Sequence, residues 1–309
     1  MDSNPLIAGQ MSSPGVGQRI NQDTVAQYIP RHPTLLARKG ALFVIADGMR
    51  FSPGGEVASR LAARTVLGGY YAHPSDDPIQ SLQAAVATAN NWLRYWSDVR
   101  PDLRGMGTTL TAVVVRGQEL LIAHIGDSRA YLVRGGSAWL LTRDHTWVAD
   151  ALARGLLTPQ EAARHPWRHT LTRHLGGPAA TPDVRQVTYW PGDRLVLCSD
   201  GVSDLLSPYE IGWLASLPPQ RAARALVEAA RQRGGRDDAS AIVVLLGKPA
   251  ERRRPAIPKT SAAWGQRYSG NAVPGALSLH SPSLPILPFA LALGMAWMMT
   301  LIAMLMVAR

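Results

Sequence analysis

Asp47 ends an uninterrupted apolar run, Ala41-Leu42-Phe43-Val44-Ile45-Ala46, and is followed by Gly48. A buried strand needs branched apolar residues and a clean stop; it does not need a carboxylate at its tip. There the carboxylate is held by rigid backbone where the strand leaves the core, and Gly48 lets a ligand approach the main chain closely. The pattern recurs in Leu120-Leu121-Ile122-Ala123-His124-Ile125-Gly126-Asp127 and in Leu195-Val196-Leu197-Cys198-Ser199-Asp200-Gly201. Arg236-Asp237-Asp238 reverses the order and precedes the apolar run at 241–246. A single Asp at a strand tip ordinarily makes a turn or caps a helix. Four such sites in one domain point further, because clustered carboxylates raise one another's pKa unless a cation neutralises them. The economical explanation is a shared site for hard divalent metals, which take oxygen ligands.

The elements that must position these groups follow from periodicity. Residues 53–71 and 79–96 carry apolar residues at helical spacing, Val57, Leu61, Ala62 and Val66 in the first and Leu82, Val86, Ala89 and Leu93 in the second. Both are expected to cover one sheet face. Strands are expected at 105–116, 119–125 and 130–133, with Gly126-Asp127-Ser128-Arg129 as a tight turn joining the last two. A further strand pair is expected at 183–190 and 193–199, joined by Pro191-Gly192. Short strands with hairpin-type turns indicate antiparallel sheets. Residues 202–206, 208–215 and 219–233 read as helical, and 239–247 as the closing strand. Residues 142–182 form an irregular middle suited to a substrate-facing flap, with Thr158, Pro159 and Glu161 opening a helix. His145, His165, His169 and His174 fall in it, but no pair has zinc-ligand spacing, so surface or packing roles are expected.

The chain has 309 residues, 46% hydrophobic and 17% charged, enough for one large domain plus extras. A net charge of +10, without zinc-finger spacing or interleaved basic and aromatic residues, suits acidic phosphorylated substrates and anionic lipid rather than nucleic acid. Cys198 is the single cysteine, which excludes an internal disulfide or a structural zinc site. A cysteine-nucleophile phosphatase would need an arginine six residues later, and Asp204 stands there. The first dozen residues show no signal-peptide pattern, so the N-terminal domain is expected in the cytoplasm. Residues 248–283, with Arg252-Arg253-Arg254, read as a linker. Residues 289–308 are uncharged and apolar except for Thr300, and at ~1.5 Å per residue they span ~30 Å, about one bilayer core. The expectation is a single-pass anchor in the inner membrane, with the three arginines holding the domain on the cytoplasmic side.

Nine segments in order then carry a family resemblance: Asn21-Gln22-Asp23, Ala46-Asp47-Gly48-Met49, Gly54-Gly55-Glu56-Val57-Ala58-Ser59, Gly107-Thr108-Thr109, Gly126-Asp127-Ser128-Arg129, Leu141-Thr142-Arg143-Asp144-His145, Leu171-Thr172-Arg173-His174-Leu175-Gly176, Ser199-Asp200-Gly201 and Arg236-Asp237-Asp238. The chain resembles the bacterial branch of the metal-dependent Ser/Thr protein phosphatases of type 2C, the PPM family, over roughly residues 9–247. The resemblance implies an α+β fold, a four-layer α-β-β-α sandwich of two antiparallel sheets flanked by helices, here followed by one transmembrane helix. With the composition of the C-terminal residues, the expected division is a phosphatase domain at 1–248, a linker at 249–284 and the anchor at 285–309. It implies two Mn²⁺ or Mg²⁺ ions: Asp47 bridging both, Gly48 offering its carbonyl, Asp200 and Asp237 completing one shell, and Asp23 holding the second ion. Asp127 and Asp204 match residues that bind a third, weaker ion in some relatives. The implied chemistry is in-line attack on phosphorus by a water that two cations acidify, displacing a Ser or Thr oxygen. No covalent phosphoenzyme is required. The implied partners are phosphorylated proteins and a cognate Ser/Thr kinase.

The chain departs from the family pattern in three places. The family's phosphate-binding Arg falls at Gln18, and Arg19 one residue later is assigned that role. Arg50-Phe51-Ser52 replaces the usual Gly-Gly-His, which removes a His that could protonate the leaving group and offers Arg50 as a phosphate ligand. Asp238 replaces an Asn, an extra carboxylate expected to strengthen or distort the metal shell. The competing reading is a catalytically weakened phosphoprotein-binding module on the same fold. A membrane scaffold that only recruits partners is the third.

Overall fold

The computed structural model describes residues 6–50 and 52–247. Its centre is β3 (Ala41–Asp47), in which every residue up to Ala46 is fully buried. A continuous apolar run is the signature of a strand covered on both faces. β3 pairs antiparallel with β2 (Asp23–Tyr28) on one side and β4 (Leu110–Arg116) on the other. β5 (Glu119–Ile125) and β8 (Asp183–Thr188) complete this five-stranded sheet, in the order β2-β3-β4-β5-β8. The second sheet runs β1-β10-β9-β6-β7, built from β1 (Ile7–Ser13), β6 (Arg129–Arg134), β7 (Ser137–Leu140), β9 (Asp193–Cys198) and β10 (Ala239–Leu246).

Strand alternation divides the core into layers. Ala41, Phe43 and Ile45 point between the sheets, where they meet Leu195, Leu197, Ile242 and Val244. Leu42, Val44 and Ala46 point outward onto α2 (Gly55–Ala72) and α3 (Pro78–Val99). The helices present Ala58, Ala62 and Val66, and Leu82, Val86, Ala89 and Leu93, at the spacing of one helical face. Asp77 caps α3, its carboxylate accepting from the Ile79 N–H at 2.9 Å, with Pro78 in the first turn. On the far side, Val196, Cys198, Ala241 and Val243 pack against α6 (Asp200–Ser203), α7 (Pro208–Leu214) and α8 (Pro219–Gln232), the last through Ala223, Leu226, Val227 and Ala230. The layers are therefore helix, sheet, sheet, helix, as expected. α1 (Pro33–Lys39) joins β2 to β3, and α4 (Trp147–Ala153) and α5 (Pro159–Arg164) lie in the 142–182 segment. Thr158 and Glu161 form a reciprocal capping box at the start of α5.

Two expected hairpins are absent. β5 and β6 belong to different sheets, so Gly126-Asp127-Ser128 carries the chain across the sandwich instead of turning it back. The reason is local: the Gly126 N–H donates to His145 Nδ1 at 3.1 Å and the Gly126 carbonyl accepts from the His145 N–H at 2.7 Å, so both peptide groups are engaged outside the ladder. β8 and β9 likewise separate, β8 onto β5 and β9 between β6 and β10. Here Asp193 takes Arg134 from β6 through two bonds of 2.7 and 2.6 Å, which fixes the chain on the second sheet. Strand β4 begins at Leu110 rather than 105, since Gly107-Thr108-Thr109 serves the site described below. The anchor expected at 285–309 lies outside the described residues; among those described, no helix is long and apolar enough to cross a membrane.

Candidate metal centre

Six carboxylates converge at one edge of the sandwich. Asp23 and Asp47 face each other as register partners on β2 and β3. The Asp47 backbone is clamped on both sides: its N–H donates to Thr109 Oγ1 at 2.9 Å, and its carbonyl accepts from Thr108 Oγ1 and the Thr109 N–H, both at 2.8 Å. Thr109 Oγ1 in turn lies 2.7 Å from Ser128 Oγ, tying this clamp to the Asp127 crossing. From the second sheet, β9 ends at Cys198 and delivers Ser199 and Asp200. Ser199 Oγ donates to Asp23 Oδ2 at 2.7 Å and so links the two sheets. Asp204 follows Asp200 by one helical turn, its N–H donating to the Asp200 carbonyl at 2.8 Å. Asp237 arrives on the loop before β10.

Burial grades across the cluster. Asp23 and Asp127 are buried, the Asp200 side chain is 17% exposed, and Asp204 and Asp237 are 37% and 45% exposed at the mouth. Loss of water around the ionised form pushes Asp23, Asp47 and Asp127 well above the usual carboxylate range. The neighbouring negative charges add to it: Asp23 and Asp200 act on Asp47, and Asp200 and Asp144 on Asp127. In Asp23, bonds from Ser240 and Ser199 oppose the shift. Burial, then Asp237 and Asp204, lift Asp200 to about 7. Burial also raises Asp204.

This donor set fits divalent cations. Asp23 Oδ1 and Asp200 Oδ1 are buried with no hydrogen-bond partner, and such orphaned oxygens are costly unless a cation takes them. Gly48 packs so tightly that a Cβ there would lie 2.2 Å from the Gly55 carbonyl oxygen, so only glycine brings this stretch of main chain beside Asp47. Among the described residues, the ion pairs reaching the cluster are Arg50 to Asp237, and His169 to Asp200 and Asp204.

The raised carboxylates set a pH dependence. Below about pH 4 these groups are protonated in folded and unfolded chains alike. As pH rises from there toward the folded value, about 7 for Asp200, the unfolded chain releases protons that the folded chain retains, so stability falls. A bound cation favours the ionised form and reverses that loss. The rise in thermal midpoint on adding Mn²⁺ is therefore expected to be larger at pH 7.5 than at pH 5. An equal rise at the two pH values in scanning calorimetry would contradict this electrostatic account.

The structure brings Asp23, Asp47, Gly48, Asp127, Asp200, Asp204 and Asp237 to one edge. It leaves Arg19 exposed on the 14–22 loop, without a side-chain bond among the described residues. Arg50 instead bonds the Asp237 carboxylate, and also the Arg236 carbonyl at 3.2 Å. Asp238 is not an added metal ligand: its two oxygens accept from the Gly15 N–H at 2.8 Å and the Gln22 N–H at 2.6 Å, fastening the N-terminal loop. Cys198 is fully buried and its thiol is pushed up to about 12 by loss of solvent, which excludes it as a nucleophile. Of the histidines, His145 is buried between Gly126 and Asp183, and His165 stacks on Trp147 at 4.7 Å. His169, by contrast, faces the acid cluster, a placement that sequence spacing gives no means to find.

Comparison with known proteins agrees with this geometry. The family described as Protein phosphatase 2C matches residues 17–239. The Ser/Thr protein phosphatase PstP of Mycobacterium tuberculosis is 38% identical over 203 residues, covering 65% of this chain and 40% of that protein. The chain thus spans less than half of PstP's length. Protein phosphatase PhpP of Streptococcus pneumoniae is 31% identical over 248 residues, covering 75% of this chain and 95% of PhpP. Among solved structures, M. tuberculosis PstP/Ppp superposes with a TM-score of 0.69 at 35% identity over 78% of this chain and 99% of that one. The PstP catalytic domain in complex with two manganese ions gives 0.66 at 33% identity, over 77% and 97%. On sequence, fold and the clustered aspartates together, this chain belongs to the protein phosphatase 2C family.

Proposed function

We propose that the chain is a metal-dependent protein phosphatase that hydrolyses phosphoserine and phosphothreonine in proteins. The observation that carries this reading is the convergence of Asp23, Asp47, Asp200 and Asp237, with two buried carboxylate oxygens left without partners. Asp47, Gly48 through its carbonyl, Asp200 and Asp237 would hold one ion, and Asp47 and Asp23 the other; Asp127 and Asp204 suit a third. When bound, the ions would supply positive charge beside the phosphoryl group and acidify water at neutral pH. The chain's own residues do the positioning. Thr108 and Thr109 hold the Asp47 main chain from both sides, so the carboxylate is presented from a fixed backbone. Arg50, at the rim and half-exposed, presents a guanidinium fork suited to equatorial phosphate oxygens. Arg19 follows Gln18, whose side-chain amide donates to the same Arg236 carbonyl as Arg50, and it is exposed and available for substrate phosphate. The PstP complex with two manganese ions supports the ion count.

The test is phosphate release from a phosphothreonine peptide by the full chain, with Mn²⁺ and with chelator. Hydrolysis that depends on Mn²⁺ supports the reading. The second reading is a weakened phosphoprotein-binding module, favoured by the Arg50 bond to Asp237. It predicts peptide binding with no release at any Mn²⁺ concentration.

Membrane attachment belongs to the same proposal. It is supported by the twenty uncharged positions at 289–308 and the arginine triplet before them. The chain would then be a phosphatase domain at 1–248, a linker at 249–284 and an inner-membrane anchor at 285–309, acting from the cytoplasmic side against a Ser/Thr kinase. Deleting residues 285–309 is expected to move the protein from the membrane pellet to the supernatant. A truncated chain that still pellets would contradict the anchor.

A further inference from the structure

Helix α7 carries an apolar ridge left open to solvent among the described residues. Tyr209 and Trp213, one helical turn apart on the same face, are 76% and 67% exposed. Leu217, 41% exposed, follows on the turn that ends the helix. The inward face packs through Ile211 and Gly212. A cluster of large apolar side chains in water marks a contact surface, and its position says what it contacts. Gly212 lies against the loop between β6 and β7, where a Cβ would stand 2.2 Å from the Gly136 carbonyl oxygen. The Arg194 guanidinium donates to the Ala215 carbonyl at 2.6 Å and also to the Leu217 carbonyl. Arg194 and its neighbour Asp193 open β9, as register partners of Leu245 and Leu246 on β10. The last turn of α7 is therefore fastened to the end of the second sheet at which β10 finishes. Exposed Ile7, paired with Leu245 from β1, lies at that end too. The acid cluster lies at the other end of β9, about 20 Å away along the strand.

The charge beside the ridge is positive. Arg221 and Arg224 are exposed on α8, which begins two residues after Leu217. Glu210, the acid on α7, is engaged by Arg233 and by the Ser207 N–H and hydroxyl. Trp and Tyr rings settle at the level of lipid headgroups, apolar body inward and polar tip in water. Arginines beside them attract anionic headgroups. We propose that the α7 ridge, with Arg221 and Arg224, docks the domain on an anionic bilayer surface. The inference rests on the membrane attachment proposed above and adds an orientation to it. A chain already held at the bilayer meets lipid at high effective concentration, so a contact too weak to bind alone becomes populated. With the Leu217 end on lipid, the acid cluster is held at the end away from it, open to protein substrates.

The experiment places a thiol-directed nitroxide on the full chain through Ser216→Cys, beside the ridge, and on a second protein through Asn91→Cys on α3, in the opposite outer layer. Both positions are exposed, and Cys198 is fully buried and does not compete for the label. Each protein is reconstituted into phosphatidylcholine vesicles with and without phosphatidylglycerol. Flotation is measured, together with collision of the label with lipid-soluble oxygen and with a water-soluble nickel chelate. Docking predicts that phosphatidylglycerol shields the label at position 216 from the chelate and opens it to oxygen, while the label at position 91 stays open to the chelate. Trp213→Ser with Leu217→Ser is expected to return the label at position 216 to water. Arg221→Gln with Arg224→Gln leaves the ridge unchanged and is expected to lower the ratio of docked to free domain by about 25-fold, roughly fivefold for each charge removed near an anionic surface. A label at position 216 that stays open to the chelate on vesicles carrying the protein overturns the docking and leaves the anchor standing. Shielding that is equal with and without phosphatidylglycerol, or that survives the arginine changes, overturns the assignment to anionic lipid. Shielding in detergent with a dimeric mass overturns it in favour of a second copy of the chain. A chain that floats with neither vesicle overturns the anchor and the docking together.

Discussion

Asp47→Asn is expected to lower Mn²⁺-dependent hydrolysis of a phosphothreonine peptide by about 10³-fold. A ligand shared between two ions supports both, and metal ions contribute several kcal/mol to such reactions; about 4 kcal/mol corresponds to 10³ in rate. The same substitution is expected to raise the thermal midpoint of the ion-free protein. Asp47 is a carboxylate whose ionised form is opposed first by loss of water and then by Asp23, Asp200, Asp127 and Asp237. Asn keeps the shape and removes the charge. Opposite signs for activity and ion-free stability mark a residue selected for its site rather than its fold. Steady-state phosphate release and calorimetry on one preparation check both halves. A variant that loses activity and stability together would show that Asp47 is mainly structural.

Gly201→Ala is expected to destabilise the fold by about 3 kcal/mol and to weaken Mn²⁺ binding. A Cβ at Gly201 would stand 2.1 Å from the Asp238 carbonyl oxygen and 3.0 Å from its carbonyl carbon, and neither is the movable end of a side chain. Overpacking of this kind costs about 1–3 kcal/mol, occasionally more. The strand start at Ala239 has to retreat, and it carries Asp237 and Asp238 with it. Asp238 holds the Gly15 and Gln22 amides, so the N-terminal loop moves as well. For a domain of this size the thermal midpoint is expected to fall by about 6–12 °C. A midpoint within a degree or two of wild type would mean that the α6 and β10 junction is looser than its geometry.

Much of this site is legible in the sequence. The run ending in Asp47 announced a strand covered on both faces, and β3 is that strand. The spacing of Val57, Ala62 and Val66, and of Leu82, Val86 and Leu93, placed two helices on one sheet. The aspartates stood out because a carboxylate at the tip of an apolar strand has no packing reason to be there. Other features depend on partners distant in sequence. β1 and β7 are edge strands, each paired on one side only, so Gly9, Gln10 and Ser12 did not need the apolar content that marks a central strand. The crossings at Gly126 and Pro191 resemble hairpin turns locally. What decides between a turn and a crossing is His145 in one case and Arg134 in the other. Asp238 read as an extra ligand because its neighbour Asp237 is one; its bonds to Gly15 and Gln22 lie more than two hundred positions away. Arg50 bonded to Asp237, and His169 beside Asp204, are products of folding alone.

The central claim is that these separated aspartates hold divalent ions. Its most direct measurement is anomalous diffraction from crystals of the full chain grown with Mn²⁺. The account predicts two manganese peaks at coordination distance, ~2.0–2.3 Å, from carboxylate oxygens, with Asp47 touching both and Asp200 and Asp237 on one. Manganese that binds elsewhere while these carboxylates stay unliganded would contradict it.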